Sequence, residues 1–305
     1  MKLRQTPIKP DPIGQKKGRL PMRKTAIISD STCDLSKELI ERYNILIIPL
    51  HVILGDQEYR DGENISAAQI YAWADANKTN PKTSAPAVPD AMAVLEEALS
   101  AYEDAVCFGL SEQFSASVKT MQLAVENLGV SDRVTVVDTQ NLSTGGGLLV
   151  IEAAEMADRG ITREEIVAEI RKLIPKVRSS FVVDTLMYLY RGGRCSGLSA
   201  MAGSALKLHP LISVAGGAMS AGKKYRGKIN KVIPAYLEDT IPAILNARPA
   251  RIFITQSEQD PEVLAAVKAR LEGLNYFDEV LVTETGSVIS CHCGPGTLGL
   301  LFISK

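Results

Sequence analysis

The chain has few aromatic residues, a nearly balanced charge and no long apolar run. Its 305 residues include one Trp, nine Tyr and six Phe, which provide few rings for stacking single-stranded bases. The net charge of −1 creates no field that would attract nucleic acid or an anionic membrane. No stretch approaches the roughly 20 consecutive apolar residues of a membrane-spanning helix. We therefore expect no nucleic-acid partner and no stable membrane insertion.

The five cysteines are odd in number and scattered along the chain, at Cys33, Cys107, Cys195, Cys291 and Cys293. A disulfide framework needs paired cysteines in an oxidising compartment, so this pattern indicates a reducing one. No second Cys/His pair lies near the last two cysteines to complete four zinc ligands. The sequence therefore predicts a cytoplasmic protein without a metal or cofactor.

The sequence also lacks the common phosphate-binding and hydrolase motifs. Three glycines at 145–147 open a helix but match neither a dinucleotide-binding loop nor a Walker loop. No Gly-x-Ser-x-Gly turn exists, so a hydrolase triad that uses Ser115 has little support. We expect no catalytic residue in this chain.

Residues 1–22 differ from the rest of the chain. They contain six basic residues against one acidic residue, with three prolines before Leu20. A signal peptide would need an apolar core, which this segment lacks. We interpret it as a disordered basic extension or as a stretch that precedes a natural start at Met22.

The next part of the chain alternates strand-like and helix-like segments. Strands are predicted at 26–29, 45–49, 105–110 and 133–138, and helices at 35–43, 66–76, 90–101, 115–128 and 148–158, with a polar loop at 77–86. Strands separated by single helices predict a parallel sheet whose post-strand loops share one edge. Residues 23–160 are therefore expected to form an N-terminal α/β domain.

Residues 161–305 have a different pattern. Helices are predicted at 161–178, 196–208, 231–246 (interrupted by Pro234 and Pro242) and 261–271, strands at 180–184 and 251–256, a hairpin pairing 210–214 with 219–221, and two final strands. This order is typical of an α+β domain with a mixed or antiparallel sheet. The whole chain is thus predicted to be an α/β protein of two domains that join near 159–162.

A polar loop, Ser29-Asp-Ser-Thr-Cys-Asp, follows the first predicted strand. In open α/β sheets ligands bind at such strand ends, so Asp30 could be a phosphotransfer nucleophile or a magnesium ligand beside Asp34. Later strand ends supply mostly hydroxyls and amides, however, and an aspartate after a strand is an ordinary turn or cap residue. We favour a structural role for this loop.

Three other polar segments are candidates for a binding site. Thr83 and Ser84 lie between prolines that stiffen the backbone, and Ser115 opens a helix, whose N-terminus favours an anion. His292 is followed by Cys-Gly-Pro-Gly, where glycines let the backbone approach a ligand. If 287–293 is extended, His292 points away from its two neighbouring cysteines. His51 and His209 lie beside apolar runs and are expected to be packed, so His292 is the best single candidate.

Taken together, these segments resemble the DegV family of fatty-acid-binding proteins, the acyl-carrying subunits of bacterial fatty acid kinases. The likeness runs from about Lys24 to the end of the chain. The matching segments are Ser29-Asp-Ser-Thr-Cys-Asp-Leu, Pro81-Lys-Thr-Ser-Ala-Pro, Phe114-Ser-Ala-Ser, Val136-Val-Asp-Thr, Leu186-Met-Tyr-Leu-Tyr-Arg-Gly-Gly-Arg, Lys224–Lys228 and His292-Cys-Gly-Pro-Gly.

The resemblance implies that a long-chain fatty acid is buried between the two domains and handed to a separate kinase catalytic subunit. The residues implied in holding the carboxylate are Thr83, with Ser84 beside it, Ser115 and His292. The residues implied in contacting the kinase are Arg191, Arg194 and Arg226. Three positions depart from the family pattern, namely Ala85, Ala116 and Gln256.

Elementary chemistry is consistent with this expectation. A buried carboxylate is costly unless several donors meet it, and two hydroxyls with an imidazole can supply them. Two other classes stay open: an enzyme that acts on a small phosphorylated or carboxylated metabolite through Asp30 and His292, and a lipid sensor without a kinase partner.

Overall fold

The computed structural model describes residues 23–194 and 208–305. The strands are β1 (Thr25–Asp30), β2 (Ile45–Ile48), β3 (His51–Leu54), β4 (Gln57–Arg60), β5 (Lys82–Ser84), β6 (Asp104–Gly109), β7 (Val134–Asp138), β8 (Val177–Val182), β9 (Leu208–Ala215), β10 (Ala218–Arg226), β11 (Ala247–Ser257), β12 (Glu279–Glu284) and β13 (Thr297–Ser304). The helices are α1 (Lys37–Arg42), α2 (Ala67–Asn77), α3 (Val88–Ala101), α4 (Ser117–Leu128), α5 (Thr144–Asp158), α6 (Arg163–Leu173), α7 (Met187–Arg191), α8 (Ile229–Ile244), α9 (Pro261–Glu272) and α10 (Ser287–Cys293).

The N-terminal sheet is parallel, as predicted, with strand order β2-β1-β6-β7. The chain leaves β1 for β2 on one side and later returns to β6 on the other side. The carboxyl ends of β1 and β6 therefore form a topological switch point, which is where open α/β sheets bind ligands. Ser36 caps α1, and Ser66 forms a capping box with Gln69 at the start of α2.

A small antiparallel sheet, in the order β4-β3-β5, was not predicted. The expectation of a polar loop across residues 77–86 is wrong at Lys82–Ser84, because these residues pair with β3. The strand is three residues long and mostly exposed, so its pairing rather than its composition creates it. This sheet positions Thr83 opposite Val52.

The C-terminal sheet is mixed, as predicted, with strand order β10-β9-β8-β13-β11-β12. Its neighbours pair antiparallel except for β11 and β12, which are parallel. Successive residues of β11 face opposite layers: Ile254 packs with α8 and α9, whereas Phe253 packs with α5. The sheet is therefore covered on both faces.

Helix α5 joins the two large sheets. Its apolar residues belong to one core cluster that also includes residues of β1, β6, β11 and β13. A helix that is apolar on all sides is expected to be buried, and nearly every residue of α5 is. Gly147 permits the close approach, because a Cβ there would lie 2.7 Å from the Cys33 carbonyl oxygen.

Several predicted boundaries are wrong. The helix expected at 161–178 ends at Leu173, because Pro175 cannot continue it, and the strand expected at 180–184 begins at Val177. Pro234 and Pro242 lie inside the continuous helix α8 rather than interrupting it. Residues 287–293 form α10 instead of an extended segment.

Other expectations are not decided by the fold. The extension at 1–22 and the helix predicted at 196–208, apart from Leu208 in β9, lie outside the described residues. The domain boundary near residue 160 stays a prediction. No helix within the described ranges combines the length and apolar content needed to cross a bilayer.

Candidate functional site

A cavity of about 230 Å³ lies between the loops after β6 and β7 and the strands β8, β11 and β13. Its volume is somewhat smaller than the roughly 300–1,000 Å³ typical of ligand sites. Its lining includes the polar side chains Thr83, Ser84, Ser115, Ser143, Arg194, Thr255, Thr285, His292 and Thr297 and the apolar side chains Leu50, Leu110, Phe114, Leu142, Phe181, Leu189, Met219, Val288, Ile289 and Leu301. The cavity thus takes residues from both sides of the predicted domain boundary.

Thr83 and His292, which are 209 positions apart, form a hydrogen bond at this cavity. Thr83 Oγ1 lies 2.9 Å from His292 Nε2. Asn80 connects their two segments, because its Nδ2 donates to the carbonyl oxygens of Cys291, at 3.0 Å, and Tyr188, at 2.9 Å. The strand β5 and the helix α10 are therefore fixed relative to each other by a buried amide.

The imidazole of His292 is held in a dry environment. Its Nδ1 atom is buried without a hydrogen-bond partner in the described part of the chain. Burial, with a smaller contribution from the positive charge of Arg194, lowers the pKa of His292 to about 4. Gly192 packs directly on the ring, since a Cβ there would lie only 2.2 Å from Nδ1. His292 is consequently neutral at pH 7 and cannot move toward α7.

Ser115 reaches the cavity from the turn before α4. Its Oγ accepts a hydrogen bond of 3.1 Å from the Ser117 backbone N–H, which leaves its own hydrogen available to a ligand. The Ser117 hydroxyl turns away from the cavity and donates to Asp30 Oδ2 at 2.6 Å. The structure therefore gathers Thr83, Ser84, Ser115 and His292 at one cavity.

The remaining lining is mainly apolar. Leu110, Leu142, Phe181 and Leu189 belong to a single core cluster. The three threonines other than Thr83 use their hydroxyls within the protein: Thr255 bonds with Thr144 at 2.6 Å, Thr285 with Ser290 at 2.8 Å, and Thr297 with main-chain carbonyls at 3.0 Å. The arrangement suits an amphiphile with a small anionic head and an apolar tail.

Asp30 does not share this cavity. It is 1% exposed, and it accepts hydrogen bonds from the backbone and hydroxyl of Thr32, the backbone of Leu110 and the hydroxyl of Ser117. Burial raises its pKa. No cluster suited to a metal ion occurs among the residues that the structure describes. The geometry agrees with a structural role for this loop and gives no support to an Asp30 nucleophile.

The three candidate docking arginines occupy different environments. Arg191 on α7 and Arg226 at the end of β10 are exposed. Arg194 is half-buried at the cavity, where it donates to the carbonyl oxygens of Phe114 and Gly192. The first two are therefore suited to a partner, whereas Arg194 is suited to the ligand.

Of the three residues that depart from the family pattern, two lie at the cavity and one does not. Ala85 and Ala116 line the cavity, where their small side chains affect its shape. Gln256 is buried elsewhere and bonds with Gln259 and Glu284. Of the other histidines, His209 is buried between two carbonyl oxygens, and His51 is half-buried beside Glu58 and Asp90.

Two elements of the site were missed by sequence reasoning. Asn80 connects β5 to α7 and α10, and Asp61 binds the first turn of α10. Both lie in polar turns whose composition is typical of exposed loops. They differ from ordinary loop residues only in being buried, since Asn80 is 8% exposed and Asp61 is 2% exposed. No feature of the sequence predicts this burial.

Comparison with known proteins agrees with this architecture. A family model described as "Uncharacterised protein, DegV family" matches residues 24–305. A DegV domain-containing protein from Deinococcus radiodurans is 34% identical over 275 residues, which cover 90% of this chain and 96% of that protein.

Two solved structures share the fold. A DegV family protein from Thermus thermophilus, described as binding fatty acid, has a TM-score of 0.84 and 32% identity and covers 92% of this chain and 100% of its own. A stearic-acid-binding protein from Eubacterium ventriosum has a TM-score of 0.78 and 26% identity and covers 93% of this chain and 99% of its own. Because the family model covers residues 24–305, which include all three sheets and the cavity, the chain belongs to the DegV family.

Proposed function

We propose that this protein binds a long-chain fatty acid in the cavity and presents its carboxylate to a separate ATP-dependent kinase in the cytoplasm. The observation that carries the proposal is the meeting of Thr83, Ser84, Ser115 and His292 at a cavity that is otherwise mainly apolar. The fatty-acid binding described for the Thermus thermophilus and Eubacterium ventriosum relatives supports it. The lipid then lies between the two proposed domains, 23–160 and 161–305.

The head group is an ionised carboxylate, which is costly to bury without donors. With hydrogen on Nε2, His292 donates to Thr83 Oγ1, and the Thr83 hydroxyl hydrogen is free to donate to the carboxylate. Ser115 donates in the same way, and Ser84 adds a hydroxyl at the rim. Each hydrogen bond to a charged group contributes about 1.5–3 kcal/mol. The head group is thus held by directed donors, without a buried metal.

The tail supplies most of the affinity. Each buried methylene contributes about 0.8 kcal/mol, so two carbons change the dissociation constant by about 15-fold. A series of saturated acids from eight to eighteen carbons, titrated into delipidated protein, should show this increment until the apolar lining is covered. The same affinity for octanoate and palmitate would contradict a buried tail.

The head-group assignment is tested by two single substitutions. We expect each substitution to weaken palmitate binding by at least about tenfold. Ser115→Ala removes a donor to the carboxylate, which is the loss of one charged hydrogen bond. His292→Ala removes the donor to Thr83 Oγ1, so the Thr83 hydroxyl is no longer oriented toward the carboxylate. Ser100→Ala is the matched control, because Ser100 is an exposed helix residue that bonds only to the Glu97 carbonyl oxygen. If both site variants bind palmitate as the wild type does, the assignment is wrong.

The docking part of the proposal places the kinase on α7 and the end of β10. Met187, Tyr190 and Arg191 are exposed and lie at i, i+3 and i+4 on one face of α7. The segments next to the two elements are linked by His209, which bonds at 2.9 Å to the carbonyl oxygens of Val183, four residues before α7, and of Gly227, just after β10. Aromatic and arginine side chains are the usual anchors of protein interfaces.

In the proposed reaction a carboxylate oxygen of the bound acid attacks the γ-phosphorus of ATP on the kinase, and acyl phosphate and ADP form. An extract of the source organism, depleted of this protein and then supplemented with it, should produce hydroxylamine-trappable acyl phosphate from ATP. Arg191→Ala and Arg226→Ala should lower this yield without altering palmitate binding, whereas the exposed Arg171→Ala should not. If supplementation produces no acyl phosphate, the kinase part of the proposal is wrong, and the result favours the alternative of a lipid sensor without this partner.

A further inference from the structure

Two buried carboxylates hold the start of the helix that carries His292. Asp34 Oδ1 accepts from the Gly286 backbone N–H at 2.9 Å, and Asp61 Oδ1 accepts from the Ser287 backbone N–H at 2.7 Å. Asp34 is 5% exposed and Asp61 is 2% exposed. Acceptors at this position satisfy the N–H groups that a helix start leaves unpaired. We call this pair the α10 clamp.

The other oxygen of each carboxylate reaches the edge of the parallel sheet. Asp34 Oδ2 accepts from Ser143 Oγ at 2.5 Å, and Asp61 Oδ2 accepts from Ser31 Oγ at 2.8 Å. Ser143 lines the cavity and has a positive φ of 52°, an uncommon conformation for a residue other than glycine. The clamp therefore connects α10 to the loops after β1 and β7.

The clamp is electrostatically costly. Burial and the neighbouring carboxylates raise the pKa of Asp34 and of Asp61. Within the described ranges neither carboxylate forms a salt bridge. Buried carboxylates that are not paired with a cation contribute little to stability. The role of Asp34 and Asp61 therefore follows from the geometry of their hydrogen bonds to α10.

Gly286 is required by this geometry and not by its backbone conformation. Its φ of −61° is accessible to any residue. A Cβ at this position would lie 3.0 Å from Asp34 Oδ1 and 3.2 Å from Asp61 Oδ1. The absent side chain therefore allows both carboxylates to reach the helix start together.

We propose that Asp34 and Asp61 are positioning residues for the head-group site, which set the direction of α10 and thereby place the His292 imidazole beside Thr83. The inference rests on the proposed fatty-acid function and names residues that serve it without touching the ligand. A helix of seven residues is too short to be stable alone, so its contacts determine its direction. His292 lies about 7.5 Å along the axis from Ser287, and a tilt of about 10° would move it by more than about 1 Å. Such a displacement breaks the hydrogen bond to Thr83.

The test uses ¹⁵N resonances of the His292 imidazole in delipidated protein together with the dissociation constant for palmitate. The chain has three histidines, so the resonance is assigned by its loss in His292→Gln. Gly286→Ala and Asp61→Ala should both shift the resonance and weaken binding by about tenfold or more, as for a lost charged hydrogen bond. Asp61→Asn keeps an oxygen acceptor for Ser287 and should stay close to the wild type.

Glu155→Ala is the control for a purely structural effect. Glu155 accepts from Arg251 at 2.5 Å and from Tyr43 at 3.2 Å, so its loss also breaks contacts between distant segments, but it does not touch α10. It should lower the melting temperature without changing the His292 resonance or the palmitate affinity.

The outcomes separate the possibilities. Unchanged resonance and affinity in Gly286→Ala and Asp61→Ala would overturn the clamp, as would an equal loss of affinity in Glu155→Ala. If Asp61→Ala does not fold, Gly286→Ala decides, because it retains every carboxylate. If the wild type binds no palmitate, the proposed function fails, while the His292 resonance still tests the clamp.

Discussion

The dry environment of His292 predicts how its replacement changes the pH dependence of stability. In the folded protein burial and Arg194 lower the imidazole pKa to about 4, whereas its ordinary value is 6.5. Between these two pH values the unfolded chain binds a proton that the folded chain does not. The contribution of His292 to the free energy of unfolding therefore falls as the pH falls from 6.5 to 4, by about 3 kcal/mol.

The perturbation is His292→Gln, which removes the titrating group and keeps a polar side chain of similar reach. Other groups titrate in both proteins, so the informative quantity is the difference in unfolding free energy between wild type and variant. On going from pH 7 to pH 4, this difference should change by about 3 kcal/mol in favour of the variant. Urea unfolding of delipidated protein at a series of pH values measures it.

A difference that is independent of pH would refute the reasoning. It would mean that His292 titrates near its ordinary pKa in the folded protein, and hence that the ring is hydrated. A hydrated ring would contradict both the buried Nδ1 atom and the close packing of Gly192 against it.

Three further predictions concern the same region. Burial raises the pKa of Asp61 to about 6, so the contribution of this group to stability falls by about 3 kcal/mol as the pH rises from about 4 to 6. Asp61→Asn lacks this contribution, so the difference in unfolding free energy between wild type and variant should change by that amount in the same urea series, and a difference independent of pH would contradict it. Arg194→Gln removes a cation that lowers the pKa of His292, so the imidazole should titrate at a higher pH by NMR, and an unchanged titration would exclude this interaction. Gly192→Ala puts a Cβ against His292 Nδ1, displaces the imidazole and should weaken palmitate binding by about tenfold, or about 1.4 kcal/mol. Gly146→Ala is the control, because its Cβ would make ordinary contacts at 3.5 Å and should leave binding unchanged. Equal losses of affinity in both variants would contradict a displacement of the imidazole.

The parts of the fold that depend on local periodicity could be predicted from the sequence. The apolar run at 26–29 predicts the strand β1, and the amphipathic pattern at 115–128 predicts the helix α4. The alternation of such strands and helices along the chain indicates a parallel sheet. The segments that depend on tertiary contacts could not. The helix α10 is seven residues long and consists of Ser, Cys, Val, Ile and His, which are weak helix formers, and it is held by Asp34 and Asp61.

The candidate site divides in the same way. Its residue types could be identified from the motifs around Thr83, Ser115 and His292, because the resemblance rests on those motifs. Their spatial relation could not be read from spacing, since the hydrogen bond between Thr83 and His292 joins a three-residue strand to a helix that neither propensity nor periodicity predicts. The same holds for Asp61, whose burial is created by the chain that packs over it.

The central claim is that the cavity holds a long-chain fatty acid, and native mass spectrometry of the protein purified from its source organism tests it most directly. We expect the wild type to retain a mass that matches a C14–C18 acid and His292→Ala to retain less of it. A protein that carries no such mass and also rejects added palmitate after delipidation would contradict the account.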